Sequence, residues 1–297
     1  MTVTWALMSD SSQATSREVS LSGTVVDDAP GEPARDDDAR ESSAQDGPRR
    51  SRRSSGDSSR PRRTWRQGGT SVRRWGWELV GWAVLALGVG VLGATVATEV
   101  IGGDIGALLS QLILWGAFAV PVVLALARAR PRGLLRFRPV DLLFGLVLGG
   151  MLRVAQGWFE VRAGGTGAWP SYPGVAGSLP GGWLFDEFLT GVVIAPVLEE
   201  FFFRGLVLVA VYTAVRRMAG REVAMFASAI ASTALFVIAH TLLAPLAWDA
   251  VVSLTLVGLV ASLLVLLTGR LWAAVVTHVV YNGLWIAMAT IGSLLAV

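Results

Sequence analysis

Apolar runs of about 20 residues recur from Trp77 to the C-terminus, and this pattern restricts the fold more than any other feature. An α-helix needs about 20 residues to cross a hydrocarbon core of about 30 Å. The chain is 53% hydrophobic with a mean hydropathy of +0.56, whereas soluble domains are roughly 45–50% apolar. The sequence therefore predicts an all-α bundle of about seven transmembrane helices. The expected spans are 77–97, 105–127, 140–158, 184–212, 224–247, 250–267 and 271–295.

Residues 1–74 have a different composition, rich in Ser, Gly, Pro, Asp and Arg, with an acidic stretch ahead of an arginine-rich one. So little apolar surface predicts a disordered tail over 1–74, followed by a transmembrane domain over 75–297. The opening residues contain neither a basic start nor a long apolar run, so we expect no cleaved signal peptide. The chain has no Cys, which leaves oxygen and nitrogen groups for any catalysis.

All 25 basic residues are arginines, and their distribution predicts the orientation. Basic short connections stay on the cytoplasmic side of a membrane. The tail and the second, fourth and sixth connections carry arginines, whereas the first and fifth carry none and the third only Arg153 and Arg162. We therefore expect a cytoplasmic N-terminus, with the tail's arginines meeting anionic lipids rather than nucleic acid. Arginine in place of all lysine indicates GC-rich coding and favours a bacterial plasma membrane.

The fourth span contains three charged side chains among aliphatic and phenylalanine residues, in the segment GVVIAPVLEEFFFRGLVL. Charges inside apolar spans are costly and are functional candidates by default. Glu200 and Arg204 are four residues apart on one helical face and are expected to pair, whereas Glu199 is rotated about 100° away. Pro196 predicts a kink beside the carboxylates. The alternative is a purely structural ion network of all three charges.

The two histidines of the chain, His240 and His278, both lie inside apolar spans. Imidazole exchanges a proton near neutral pH or binds a metal. Asn282 shares a helical face with His278 and is expected to orient the ring or join it on a substrate oxygen. Counted from the cytoplasmic helix ends at about 1.5 Å per residue, Glu199 and His240 lie roughly 20 Å deep but His278 only roughly 10 Å. Helix tilt, a kink or an earlier start of the seventh helix is needed for them to meet.

Glu199, His240 and His278 permit two chemistries. One carboxylate and two imidazoles match a common set of catalytic zinc ligands, although the HExxH signature is absent. Without a metal, a carboxylate kept from water can act as a general base toward a water molecule that it shares with His240. His278 and Asn282 would then donate hydrogen bonds to the oxyanion. The sequence leaves a divalent metal such as zinc open.

Three motifs, on the fourth, fifth and seventh apolar spans, resemble those of the CPBP family of intramembrane proteases, which includes CAAX prenyl proteases and bacteriocin-processing enzymes. EEFFFR (Glu199–Arg204) resembles the family's EExxxR, FVIAH (Phe236–His240) its FxxxH, and HVVYN (His278–Asn282) its HxxxN. The resemblance covers residues 183–290 and implies a membrane-embedded endopeptidase.

The resemblance also implies roles for individual residues. Glu199 would be the catalytic acid–base, His240 its partner on the attacking water, and His278 with Asn282 the oxyanion contacts. The supporting residues would be Glu200, Arg204 and Phe236. The implied substrate is a membrane-associated protein or peptide. The sequence leaves open whether it is prenylated and whether the protein is oligomeric.

Two other functions agree with the same polar groups. Membrane carboxylates and histidines also serve as proton or ion relays in transporters. Transporters often contain internal repeats, and the two halves of this chain show no convincing similarity. A non-catalytic membrane scaffold or immunity protein of the same fold is the third possibility.

Overall fold

The computed structural model describes residues 63–172 and 177–295. Within these ranges, six helices are long and apolar enough to cross a membrane, which confirms the predicted all-α transmembrane bundle. They are Trp77–Ile101 (α1), Gly103–Arg128 (α2), Val140–Arg162 (α3), Leu184–Leu243, which Gly220 divides into α4 (184–219) and α5 (221–243), Trp248–Thr268 (α6) and Trp272–Leu295 (α7).

The helix Leu184–Leu243 contains 60 residues, about three times the length that one crossing requires. Gly220 has φ 82° and ψ −177°, which is not helical and which residues with a Cβ rarely adopt. The chain turns back at this glycine. The two segments lie side by side, as shown by the Ser232 hydroxyl of α5, which donates to the Phe203 carbonyl of α4 at 2.9 Å. Counted on either side of this break, the described residues contain seven helical segments of at least 21 residues.

The sequence predicted a disordered tail up to residue 74, but residues 63–74 are ordered and packed against the bundle. Two short 3₁₀ turns, Trp65–Gln67 and Thr70–Val72, hold Trp65 at 1% exposure. The indole of Trp65 donates to the Gly269 carbonyl at 3.0 Å, and Arg66 donates to the Leu266 carbonyl at 2.8 Å. These bonds satisfy carbonyls at the end of α6, which a polar composition does not reveal. Residues 1–62 lie outside the described residues.

Helix α4 lies at the centre of the bundle, since Phe202, Phe203, Leu206 and Val207 are all at most 1% exposed. A helix that is apolar on every side belongs inside a bundle. Glu199, Glu200 and Arg204 of this helix are therefore enclosed by protein rather than by lipid.

Helices α3 and α7 approach each other closely at Gly145 and Gly149. A Cβ on Gly149 would lie 2.8 Å from the Thr277 carbonyl oxygen and 2.8 Å from the Val280 Cβ. Where the same two helices begin, two guanidinium nitrogens of Arg270 donate hydrogen bonds to the Asp141 carboxylate, which is fully buried. Arg270 thereby aligns α7, which carries His278, against α3.

We expect Gly149→Ala to lower the thermal unfolding temperature, because the added methyl group forces α3 and α7 apart at a cost of about 1–3 kcal/mol. The matched control is Gly150→Ala on the same helix, where nothing lies within 4 Å of an added Cβ. Unfolding of both variants in detergent can be followed by circular dichroism. Equal unfolding temperatures for the two variants would contradict the close contact.

The sequence assigns Arg153 to the third connection. In the structure, Arg153 is buried within α3. Its guanidinium donates to the Tyr281 carbonyl of α7 at 2.9 Å and to Gln156 at 2.7 Å, and it lies 4.1 Å from the centre of the Tyr281 ring. The Tyr281 hydroxyl also donates to Gln156. With Arg153 removed from the connections, the contrast between basic and non-basic helix ends becomes sharper.

Candidate active site

The two carboxylates lie on the short regular segment Ala195–Glu200 of α4. Wider, π-type turns precede it over Leu184–Ile194 and follow it over Phe201–Leu208. Pro196, which lacks a backbone donor, is at the start of the regular segment, so the helix is irregular where the sequence predicts it. Wider turns of this kind often mark functional sites.

Glu200 and Arg204 form the pair that their spacing predicts, with 2.8 Å between Nη1 and Oε1 and both side chains fully buried. Arg204 also donates to the Gly258 carbonyl of α6 at 3.2 Å, and its guanidinium carbon lies 4.5 Å from the centre of the Phe236 ring. A buried charge pair needs such additional partners to offset its desolvation. The pair thus joins α4 to α5 and α6.

Glu200 has a second partner that the sequence did not indicate. The same Oε1 atom lies 3.0 Å from Nδ1 of His278 on α7. A carboxylate at this nitrogen holds the ring's orientation and its proton position. Glu200 therefore orients His278, which was one of the two roles that the sequence left open for Asn282.

Asn282 makes a contact that the sequence did not predict. Its amide donates to the Gly191 carbonyl of α4 at 2.9 Å and so ties α7 to the part of α4 ahead of the carboxylates. An asparagine amide has two N–H donors, so one hydrogen bond to Gly191 uses only one of them.

Glu199 lies between the two imidazoles. Its Oε2 atom is 4.0 Å from Nε2 of His240 and 3.9 Å from Nε2 of His278, and the residue is only 5% exposed. The structure thus brings together the three groups that the sequence singled out. They include His278, although its depth as counted from the sequence differed from that of Glu199 and His240. Distances near 4 Å are too long for direct hydrogen bonds but suit a bridging water.

The hydrogen bonds of the histidines determine where their protons lie. Nδ1 of His240 is 2.8 Å from the Phe236 carbonyl, which can only accept, so this nitrogen carries a proton. Nδ1 of His278 carries one for the same reason, since it faces the Glu200 carboxylate. In a neutral imidazole the other nitrogen is then an acceptor. Both Nε2 atoms that face Glu199 therefore present a lone pair unless a further proton is bound.

Phe236 forms a wall beside both rings. Its ring centre lies 4.5 Å from that of His240 and 5.8 Å from that of His278, and the side chain is fully buried. Phe236 thus limits the rotation of both imidazoles.

A cavity of about 390 Å³ extends from Glu199 and His240. It lies between α1, α2, α4 and α5, whereas the three sequence motifs lie on α4, α5 and α7. His278 and Asn282 do not line it. Several polar residues of its wall were not identified from the sequence, because they lie on α1 and α2, outside the motifs. They include Thr98, Glu99, Ser110, Gln111 and Trp115.

The three candidate ligands are more widely spaced than the ligands of a zinc ion. Neighbouring ligand atoms around tetrahedral zinc are about 3.3 Å apart, because each bond is about 2.0–2.1 Å long. The distances of 3.9 and 4.0 Å from Glu199 to the imidazoles are wider. In residues 63–172 and 177–295, no group of three His, Asp or Glu side chains has the spacing of a metal site. The arrangement does not fit a bound zinc ion, so no chemical step is assigned to one.

Comparison with known proteins identifies the class to which this site belongs. Residues 181–284 match the family model described as Rce1-like, type II CAAX prenyl endopeptidase Rce1-like. This segment contains all three motifs, and the match confirms the resemblance to CPBP proteases. A search of curated proteins and a search of solved structures each gave no match. The chain is thus a multi-pass membrane protein whose residues 181–284 are similar to the Rce1-like endopeptidase family, which supports a membrane endopeptidase in general.

Proposed function

We propose that this protein hydrolyses a peptide bond of a membrane-associated protein or peptide, with a water molecule activated by Glu199. The observation that carries the proposal is the Glu199 carboxylate, which lies between two imidazole nitrogens at the inner end of a cavity. A carboxylate with few solvent contacts is well placed to act as a base toward the one water that reaches it.

In the proposed reaction, Glu199 removes a proton from a water that it shares with Nε2 of His240. The water oxygen bonds to the scissile carbonyl carbon, and the carbonyl electrons move onto its oxygen. When the tetrahedral intermediate collapses, the C–N bond breaks and the leaving amine takes the proton from Glu199. Glu199 is thus base first and acid afterwards, and no other proton donor is needed.

The oxyanion contact is assigned to His278. Because Nδ1–H is held by Glu200, Nε2 can donate only from the doubly protonated ring. Glu199, Glu200 and Arg204 together carry one net negative charge, which a proton on His278 would balance. The second N–H of Asn282 is the other proposed donor, as the resemblance implies. A buried cluster without net charge is far less costly than a charged one.

The cavity indicates the side from which the substrate comes. It reaches Glu99 at the end of α1 and Leu246 beyond the end of α5. Both helices begin at arginine-rich ends, next to Arg74 and Arg221, which the distribution of charges assigns to the cytoplasm. We therefore propose that the cavity opens on the non-cytoplasmic side.

The side of access can be tested with single cysteines, because the chain has no cysteine of its own. In intact cells, a membrane-impermeant maleimide is expected to label Leu246→Cys at the mouth of the cavity. Its control, Arg130→Cys in an arginine-rich connection, is expected to be labelled only after permeabilisation. The reverse pattern would place the cavity on the cytoplasmic side and overturn this assignment.

The function itself is tested by comparative proteomics of membranes that contain either the wild-type protein or Glu199→Gln. A peptide that is released only in the presence of the wild type would identify the substrate and its cleavage site. A membrane proteome that is identical with both proteins, each present at equal amounts in the membrane, would count against proteolysis.

Metal removal gives a separate prediction. Because the distances from Glu199 to the imidazoles exceed those of zinc ligands, we expect cleavage to continue after treatment with a zinc chelator such as 1,10-phenanthroline. The measurement is the rate of release of the identified peptide with and without chelator. A loss of activity that added zinc restores would show instead that the site closes around a metal.

A further inference from the structure

A second pocket lies at the arginine-rich end of the bundle, on the opposite side from the mouth of the catalytic cavity. Its volume is about 360 Å³, which is within the range of about 300–1,000 Å³ for small-molecule sites. It lies between the segment 65–73 and the junction of α4 with α5. Four arginines line it, and none of its lining residues is acidic. They are Arg73, Arg216, Arg217 and Arg221.

Only one of these guanidinium groups has a hydrogen-bond partner within the described part of the chain. Arg217 donates to the Val72 carbonyl at 3.0 Å and to the Arg73 carbonyl at 2.7 Å. The side chains of Arg73, Arg216 and Arg221 form no hydrogen bond or ion pair with any described residue. None of the four positive charges in this pocket is therefore paired with a carboxylate of the described residues, and three of the guanidinium groups have no hydrogen-bond partner there.

Arg216 is held in the pocket by the conformation of the preceding segment. Its guanidinium lies where a Cβ on Gly68 would be, and Gly68 has a φ of 71°, which favours glycine. Arg216 is also half-buried, whereas the charged head of a surface arginine usually extends into water. The backbone at Gly68 is thus shaped around a guanidinium that has no acidic partner.

We propose that this pocket binds a phosphate-bearing anion. Guanidinium groups of like charge repel one another, and an anion among them removes that repulsion. Arginine matches phosphate oxygens with pairs of parallel N–H donors. The source is either the headgroup of an anionic lipid, since basic pockets on the cytoplasmic side of helical bundles hold such groups, or a free phosphate ester.

The test is native mass spectrometry of the full-length protein in a neutral detergent, with three probes. They are dioctanoyl phosphatidylglycerol, dioctanoyl phosphatidylcholine and glycerol 1-phosphate. The variant is Arg216→Gln with Arg221→Gln. The matched control is Arg130→Gln with Arg136→Gln, which removes the same charge from another connection at the same end, where both residues are exposed.

We expect the double variant of the pocket to bind phosphatidylglycerol at least about tenfold more weakly than the wild type, since each nearby arginine contributes about fivefold. The control is expected to stay within about twofold. Tight binding of glycerol 1-phosphate as well would identify the phosphate group itself as the ligand, and binding of phosphatidylglycerol alone would identify the lipid. Phosphatidylcholine, which is neutral overall, is expected to bind weakly.

The proposal is overturned if neither anionic probe binds the wild type, or if both double variants weaken binding equally, because the effect would then be general attraction to a basic surface. Circular dichroism shows whether the double variant is folded. If it is not, Arg221→Gln alone serves the same purpose, since Arg221 is exposed and has no described partner, with about fivefold weaker binding expected.

Discussion

Replacing Glu199 with Gln is expected to lower the rate of peptide cleavage by about 10³-fold or more while the protein stays folded and inserted. The amide has nearly the same shape as the carboxyl group but cannot accept the proton of the attacking water. General acid–base catalysis contributes about 10²–10⁴-fold, and in the proposed reaction Glu199 serves in both directions. The measurement is the initial rate of release of the substrate peptide in reconstituted membranes.

The matched control is Glu99→Gln, which removes a carboxylate from the wall of the same cavity, at its exposed end. Its rate is expected to stay within a few-fold of the wild type, because Glu99 has no imidazole beside it in the described contacts. His240→Ala is expected to resemble Glu199→Gln, since it removes the second contact of the water. Near-normal cleavage by either Glu199→Gln or His240→Ala would rule out the proposed chemistry.

Replacing Arg204 with Leu is expected to reduce the free energy of unfolding by about 3–5 kcal/mol, because Glu200 would remain buried without its charged partner. The Gly258 carbonyl would lose a donor as well. The measurement is unfolding of the purified protein in mixed micelles of increasing denaturing-detergent content, followed by circular dichroism.

The double variant Glu200→Leu with Arg204→Leu separates the effect of an unpaired charge on the free energy of unfolding from the effect of altered packing. Without either charge, much of the penalty disappears, and we expect the double variant to be at least about 2 kcal/mol more stable than Arg204→Leu alone. It should nevertheless lack activity, since His278 would lose the carboxylate that orients it. A double variant as unstable as the sum of both single changes would show that the two residues act independently.

The helical architecture was largely predictable from the sequence. The predicted starts of α1, α3 and α4 at residues 77, 140 and 184 agree with the structure, because twenty-residue apolar runs between polar segments leave few alternatives in a membrane. The packing of residues 63–74 was not predictable. Trp65 and Val72 are too few to stand out in an arginine-rich stretch, yet they are nearly fully buried.

The candidate site was only partly predictable. The Glu200–Arg204 pair follows from the geometry of one helix, since residues four apart lie on one face. The depth of His278, in contrast, could not be counted from the sequence, because the tilt of α7 is set by its packing against α3. The close contacts at Gly145 and Gly149 are part of that packing.

The sequence by itself determined that Glu199, His240 and His278 lie inside a helical bundle, since polar groups within apolar spans must turn away from lipid. Only the tertiary structure decided that both Nε2 atoms face Glu199, that Glu200 orients His278, and that α1 and α2 wall the cavity. The physical reason is that contacts within a helix follow from its fixed rise and turn. Contacts between helices depend on how the helices cross and rotate, and therefore on the packing of the whole bundle.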